Sequence, residues 1–281
     1  MFNKKMKKTI YLITLAFVTI FFASCKDINK KKNTETENQK IEDVAHKKSK
    51  KNAKDVHWSH HKGEDGPENW KNLCEEFADC GGQAQSPINI INKEVSIGKD
   101  LAIPQFNYEK SKVNIINNGH TIQFNVDGNS IVKLNNKDYN LLQFHFHALS
   151  EHTIDGKHAP IEVHFVHKHS DTDFAVIGVM YTEGKQNELL KKYLDKFPTN
   201  KGEYKSEDMI DIFNLLPKNK SYYYYKGSLT TPPCTEIVNW YVLKNPIEAS
   251  KEQIQKFSKI LHNNYRPIQN LNGRKIKQYL E

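Results

Sequence analysis

Nine residues, Leu141 to Leu149 (LLQFHFHAL), set two histidines one residue apart between aromatics. Successive side chains of an extended strand point to opposite faces, so Gln143, His145 and His147 share one face while Leu142, Phe144, Phe146 and Ala148 share the other. Two imidazoles on one face are half of a metal site. Ile161 to Val166 (IEVHFV) alternates in the same way, grouping Glu162, His164 and Val166, and the connection before it is short enough to return the chain as an antiparallel neighbour. Catalytic zinc typically takes three protein ligands and an exchangeable water, and three neutral histidines leave the full metal charge to acidify that water. His145, His147 and His164 are therefore the candidate zinc ligands. Gln143 and Glu162 fit as partners for the second ring nitrogen of a ligand, the contact that fixes its tautomer. Taken alone, any one of these histidines reads equally well as a hydrogen-bonded core residue.

The elements that would position them are mostly strands. Val113 to Ile116, Thr121 to Val126 and Ser130 to Leu134 are short apolar runs between turns, with Asn118-Gly119 and Asp127-Gly128 as hairpin signals. Phe174 to Tyr181 reads as a buried strand, and Ser221 to Tyr225, Glu236 to Leu243 and Lys275 to Tyr279 as further strands, the last after a turn at Asn272-Gly273. Three helices are expected: Asn187 to Phe197, a run capped by Ser206 with Ile210, Phe213 and Leu216 at helical spacing, and a run opened by the capping box Ser250/Gln253 before Ile254, Phe257 and Leu261. No internal repeat is present. The expected fold is a single mixed α/β domain dominated by a large, mostly antiparallel twisted central sheet with peripheral helices.

Gln143-Phe144-His145-Phe146-His147, Ser150-Glu151-His152-Thr153, Glu162 to His167 and Gly227 to Pro233 (GSLTTPP) resemble the signature blocks of the α-class carbonic anhydrases. Gln85 to Ile90 (QSPINI), Asn117 to His120 (NNGH) and Asn264 to Pro267 (NYRP) match further blocks, and all seven run in the family's order from about Trp58 to the C-terminus. The resemblance implies zinc at the base of a conical cleft and reversible hydration of carbon dioxide by attack of zinc-bound hydroxide. It implies an apolar wall for the substrate at Val166, Val176, Leu229, Val238 and Trp240. Thr230 would orient the nucleophile, its own hydrogen committed to the buried carboxylate of Glu151, and Thr231 would contact substrate or bicarbonate. His120 matches the proton shuttle; an imidazole of pKa near 6.5 lies about half a unit, roughly 0.7 kcal/mol, from a water of pKa near 7. Asn264 matches a backbone carbonyl supporting His147, Arg266 a residue that holds the nearby loop, and His152 and His167 structural positions. Where the family usually has a tyrosine two residues after the first tryptophan, this chain has His60. In bacterial members a cysteine before the Gln-Ser-Pro block pairs with one directly after Thr-Thr-Pro-Pro; the matching pair is Cys80 and Cys234, which leaves Cys74 free.

The chain has 281 residues, 37% of them hydrophobic, enough for one large core. Its net charge of +8 raises a nucleic-acid reading, which fails when the charge is divided. Residues 1–25 carry four lysines and no acid, residues 26–55 carry ten lysines against six acids, and the remainder carries 27 basic against 27 acidic residues. The basic excess sits outside the globular part, so no nucleic-acid partner is expected. Lys4, Lys5, Lys7 and Lys8 precede an apolar run from Thr9 to Phe22, too short to span a bilayer, which reads as a signal peptide over residues 1–24. Phe22-Ala23-Ser24-Cys25 resembles a bacterial lipoprotein box, which implies diacylglyceryl attachment at Cys25; ordinary cleavage nearby is the plainer alternative. Residues 25–55 would then be the lipidated cysteine and a Lys/Asn/Glu-rich tether with a reach of roughly 30 Å, and residues 56–281 the catalytic domain. The expectation is an exported lipoprotein, membrane-anchored on the periplasmic side or at the cell surface, with carbon dioxide and bicarbonate as partners and a homodimer left open. Competing readings are a metal-free binding module, a zinc store and an esterase using the same hydroxide. The full ligand set together with Thr230 and Glu151 argues against the first, and histidines on alternating apolar strands argue against the second.

Overall fold

The structure is a computed structural model that describes residues 52–281. The expected signal peptide, Cys25 and almost all of the tether lie outside the described residues. Ala53 and Val56 already pack on the cluster of Trp70, Phe77, Cys80 and Cys234, so packing begins slightly before residue 56.

A 13-stranded sheet dominates. Its path uses β1 (Ser96–Ile97), β2 (Lys110–Asn117), β3 (Ile122–Asn125), β4 (Lys137–His147), β5 (Ile161–Ser170), β6 (Asp173–Glu183), β7 (Gly202–Asp211), β8 (Tyr222–Gly227), β9 (Val238–Leu243) and β10 (Lys277–Tyr279). Their spatial order is β7-β2-β3-β4-β5-β6-β9-β8-β10-β1, with shorter strands attached at its flanks. Most neighbours are antiparallel; the β6/β9 and β10/β1 pairs run parallel. The helices are short and peripheral: α1 (Trp70–Leu73), α2 (Glu188–Tyr193) and α3 (Lys251–Leu261).

Alternation along the central strands divides the sheet into two chemically different faces. Phe124, Phe144, Phe146 and Phe165 are fully buried on one face, where Phe146 meets Phe257 of α3 at a ring-centroid distance of 4.9 Å and Phe124 stacks on Phe144 at 4.7 Å. Such aromatic pairs contribute on the order of 1 kcal/mol beyond their area burial. α3 is held in place from its first turn, because Ser250 and Gln253 form the expected capping box. Gln253 also exchanges hydrogen bonds of 2.8 Å with the Asn187 backbone, which ties the start of α2 to the start of α3.

Three expectations change. Leu142 does not share the face of Phe144. Opposite β5, Gln143 pairs with Val166 and Leu141 with His167, which leaves Leu142 as an extra residue in a β-bulge, 43% exposed. The bulge shifts the phase, so Tyr139 and Leu141 point into the core ahead of it and Phe144 and Phe146 behind it. The helix expected from Ser206 to Leu216 is instead β7 followed by a 3-10 turn at Ile212–Leu215. A bulge between Ser206 and Met209 throws strand alternation out of step, so the apolar residues fall at helical spacing by coincidence. Among the described residues β7 pairs on one side alone, and its exposed Glu203, Lys205, Glu207 and Asp208 suit an edge that must not recruit another strand. Last, the strands flanking Asp127-Gly128 do not pair with each other; each pairs with β4.

Candidate metal centre

His145 and His147 leave β4 on the face opposite the aromatic core, and His164 leaves β5 directly across from His145. Ring centroids are 5.0 Å apart for His145 and His147, 5.3 Å for His145 and His164, and 4.6 Å for His147 and His164. One nitrogen from each ring lies within 4.8 Å of the others. The second nitrogen of each ring faces an acceptor. His145 Nδ1 is 2.9 Å from Gln143 Oε1, and His147 Nδ1 is 2.7 Å from the Asn264 carbonyl. His164 Nε2 is 2.9 Å from Glu162 Oε1, within ion-pair range though off the line of a hydrogen bond. This leaves His145 Nε2, His147 Nε2 and His164 Nδ1 as the free donors.

A buried, unpaired polar atom costs free energy, and His147 Nε2 is one such atom. A metal ion held by the three free nitrogens would satisfy it, and a neutral nitrogen set suits zinc. The residues present therefore fit the ion. For two of the three rings electrostatics point the same way: burial holds His145 well below the ordinary imidazole value and lowers His147, so both present lone pairs at neutral pH. For His164 burial acts downward, but the adjacent Glu162 carboxylate outweighs it and raises the ring. Burial works to raise Glu162, and His152 and His164 outweigh it to hold the carboxyl well below its usual range.

Behind His164 a buried chain of hydrogen bonds runs to the Thr230 loop. Glu162 Oε1 is 2.7 Å from His152 Nδ1, His152 Nε2 is 2.7 Å from the Tyr225 hydroxyl, and that hydroxyl donates to Ser86 Oγ at 3.0 Å. Ser86 Oγ accepts from the Ser228 N–H, two residues from Thr230. Tyr225 and Ser86 are participants that strand periodicity could not single out. Their separation from Ser228 and His152 in the sequence hides the connection.

Glu151 is fully buried. Its Oε1 accepts the Arg266 backbone N–H at 2.8 Å, and its Oε2 lies 3.6 Å from His147 Nε2 and 3.8 Å from His164 Nδ1. Oε2 has no hydrogen-bond partner among the described residues, so the bond to Thr230 expected from the sequence is not formed in this arrangement. Thr230 itself is buried. The Arg266 guanidinium donates to Gln85 Oε1, the Ser86 carbonyl and the Cys80 carbonyl, which connects the Glu151 neighbourhood to the disulfide. That bridge joins Cys80 to Cys234, as expected, with Cys74 free.

The five residues expected to form an apolar wall come together. Val176, Val238 and Trp240 are buried in a cluster separate from the main core, and Val166 and Leu229 pack against it. Trp240 also lies edge-on to His164, with centroids 4.8 Å apart. Thr231 is partly exposed.

His120 sits at the hairpin tip between β2 and β3, where Gly119 takes φ +90°. Asn118 Oδ1 accepts the N–H groups of both His120 and Thr121, which fixes the tip. The His120 ring stacks on Trp58 at 3.8 Å, and burial, then Lys201 and His57, lowers its pKa below the usual value. Trp58 was not singled out as its partner by the sequence. His60 lies between the two groups, its ring centroid 6.5 Å from that of His147 and 6.2 Å from that of His120, and burial with those neighbours pushes it down to about 3.

The chain is similar to known proteins over most of its length. A family model described as eukaryotic-type carbonic anhydrase matches residues 65–280. The carbonic anhydrase of Neisseria gonorrhoeae is 44% identical over 224 residues, covering 79% of this chain and 87% of its own. That of Pectobacterium atrosepticum is 42% identical over 226 residues, covering 79% and 90%. Among solved structures, the α-carbonic anhydrase of Thermovibrio ammonificans in complex with the inhibitor sulfanilamide superposes with a TM-score of 0.76 at 43% identity, covering 79% of this chain and 99% of that one. A three-histidine cluster on the open face of a large twisted sheet, within a chain this similar over this length, leaves one conclusion: the chain belongs to the eukaryotic-type, or α, carbonic anhydrase family.

Proposed function

We propose that this chain catalyses the reversible hydration of carbon dioxide at His145, His147 and His164, with His120 carrying the proton to solvent. The observation that carries the reading is the convergence of three imidazoles whose outward nitrogens each face an acceptor, while His147 Nε2 is buried with no hydrogen-bond partner among the described residues. His145, His147 and His164 would hold zinc, which when bound would lower the pKa of a water from about 15.7 to about 7 and so supply a nucleophile at neutral pH.

The protein's own groups do the rest. Gln143, the Asn264 carbonyl and Glu162 hold the three rings in one tautomer and orientation. Val166, Val176, Leu229, Val238 and Trp240 form a dry surface against which an apolar substrate can rest beside the centre. Thr230 and Glu151 orient the attacking oxygen, the Thr230 hydroxyl turning to donate to the unpaired Glu151 Oε2. Thr231 contacts substrate at the partly exposed edge. At the mouth His120, half-buried on Trp58, accepts the proton and releases it to buffer. Its lowered pKa favours release over retention.

Stopped-flow carbon dioxide hydration with metal analysis tests the whole reading. One zinc per chain, loss of activity on chelation and recovery on zinc return are expected; a zinc-replete protein that does not hydrate carbon dioxide refutes it. His120→Ala should slow hydration in weak buffer and recover with added imidazole, and a rate indifferent to buffer removes His120 from the proton path. For localisation we propose export and lipidation at Cys25, supported by the lysines before the apolar run and by the small residues ahead of the cysteine. Mass spectrometry of the mature N-terminus tests it, and an unmodified Cys25 or cleavage elsewhere overturns it.

A further inference from the structure

Between β2 and the bulge of β7 lies a groove of about 340 Å³ that the proposed reaction does not use. The bulge makes it. Ser206 pairs with Val113 and Met209 with the adjacent Lys112, so Glu207 and Asp208 have no partner on β2 and the ladder opens there. Asn114, Asn125 and Asp127 line the opening from β2, from β3 and from the turn that follows β3.

The groove lies on the catalytic face of the sheet but away from the metal centre. Asn114 falls between core-facing Val113 and Ile115 and so points the other way, as His145 does on β4. Gln123 of β3 stands between the two strands, paired with Ile116 on one side and His145 on the other. β2 is therefore two strands from β4, about 10 Å across the sheet.

The charged groups of the groove are already paired. Lys112 Nζ lies 2.5 Å from Glu207 Oε2 and Lys205 Nζ 3.0 Å from Glu203 Oε1, while Asp127 Oδ1 accepts from Ser111 Oγ at 2.6 Å and from the Lys112 N–H at 2.8 Å. Two lysines and two acids in the lining cancel, so it selects neither an anion nor a metal cation. The amides are different. Asn114 Oδ1 is buried with no hydrogen-bond partner among the described residues. Asn125 Oδ1 accepts from Gln123 Nε2 at 2.6 Å, which leaves the hydrogens of Asn125 Nδ2 for another acceptor. Val126, partly buried against the core, adds apolar surface.

We propose that this groove binds a neutral saccharide. A hydroxyl both donates and accepts, so neighbouring hydroxyls of one sugar satisfy Asn114 Oδ1 and Asn125 Nδ2 together, Asp127 Oδ2 accepts from a further hydroxyl, and ring C–H groups rest on Val126. The volume lies within the range of small-ligand sites. A buried acceptor without a partner costs folding free energy, and a bound hydroxyl offsets that cost. A peptide is captured most readily by adding to a free strand edge, whereas the backbones flanking this groove pair with each other.

The test is an NMR titration of the isotope-labelled, zinc-loaded protein with maltotriose, with chitotriose and with trialanine. Saturable shifts centred on Asn114, Asn125 and the bulge between Ser206 and Met209 are expected with at least one of the two saccharides at millimolar concentration, and none there with trialanine. Glucose and N-acetylglucosamine then separate the two sources of such hydroxyls: a trimer bound at least tenfold more tightly than its monomer assigns a polymer chain, and any smaller ratio a free sugar. Asn114→Val should weaken saccharide binding tenfold or more and raise Tm, because it removes a polar atom that is unpaired when the groove is empty. Asn125→Asp keeps the acceptor for Gln123, removes the donor and should weaken binding as well, whereas Gln255→Ala on α3 should leave it unchanged. Silence with both saccharides, binding of trialanine at the same residues, or an affinity within twofold of the parent in both Asn114→Val and Asn125→Asp overturns the site. A lower Tm in Asn114→Val also overturns it, by showing that the carboxamide serves the fold.

Discussion

His167 sets an acid limit on the fold that can be measured without touching the metal centre. The ring is fully buried on β5, three residues beyond His164. Its Nε2 is 2.6 Å from the Tyr108 hydroxyl and its Nδ1 is 3.3 Å from the Ala175 carbonyl. Those contacts satisfy a neutral ring, with Nδ1–H donating to the carbonyl and Nε2 accepting from the tyrosine. Burial pushes the pKa from 6.5 to about 3, the Ala175 and Phe165 backbone only partly opposing it. The sign follows from the folded value lying below the unfolded one. Above pH 6.5 both states carry the neutral ring and His167 makes stability independent of pH; between 6.5 and about 3 the unfolded chain binds a proton that the folded one refuses, so stability falls with pH. The slope is about 1.4 kcal/mol per pH unit, and the full window amounts to about 5 kcal/mol at most. That is a large fraction of the 5–15 kcal/mol typical of a folded domain. His167→Gln keeps both a donor and an acceptor and removes the titration. Urea unfolding of parent and variant at matched zinc content, from pH 7.5 to 4.5, should give curves whose difference is flat above about pH 6.5 and narrows by about one proton's worth per unit below it. Parallel curves across that range refute the assignment, whatever the absolute cost of the substitution.

Three further outcomes follow from the site. Gln143→Ala frees His145 Nδ1 and should weaken zinc retention against a competing chelator by about 10–100-fold while leaving the fold intact by circular dichroism; unchanged retention removes Gln143 from the support of the ion. Thr230→Ala should lower hydration by about 10–100-fold at full zinc occupancy, and an unaltered rate shows that Glu151 Oε2 orients nothing through it. Reducing Cys80–Cys234, or Cys80→Ser, opens a loop with a sequence separation of 154 and should lower stability by up to about 5 kcal/mol by chain entropy, with a matching fall in Tm; a Tm within a degree of the parent contradicts a structural role for the bridge.

What the sequence by itself determined about this protein is its local periodicity and its chemistry. Phe144 and Phe146 alternate with His145 and His147, and that order dictates an aromatic face and an imidazole face on one strand. The capping box at Ser250 and the Asn118-Gly119 turn were equally legible, because each depends on residues three positions apart or fewer. Tertiary structure decided the rest. The bulge at Leu142 reverses the phase of β4, and the bulge after Ser206 makes a strand imitate a helix; neither has a local signature, since a bulge is defined by the partner strand. The second nitrogens of the ligands make the same point. Gln143 lies two residues from His145 and strand alternation alone pointed to it, whereas the carbonyl that holds His147 comes from Asn264, 117 residues away, and was expected only from the family resemblance. The stacking of Trp58 on His120 and the groove between β2 and the β7 bulge exist because distant segments share one surface. Side-chain type and spacing announce which chemistry is available, but hydrogen-bond partners and cavities belong to pairs of segments, and only the closed chain brings those pairs together.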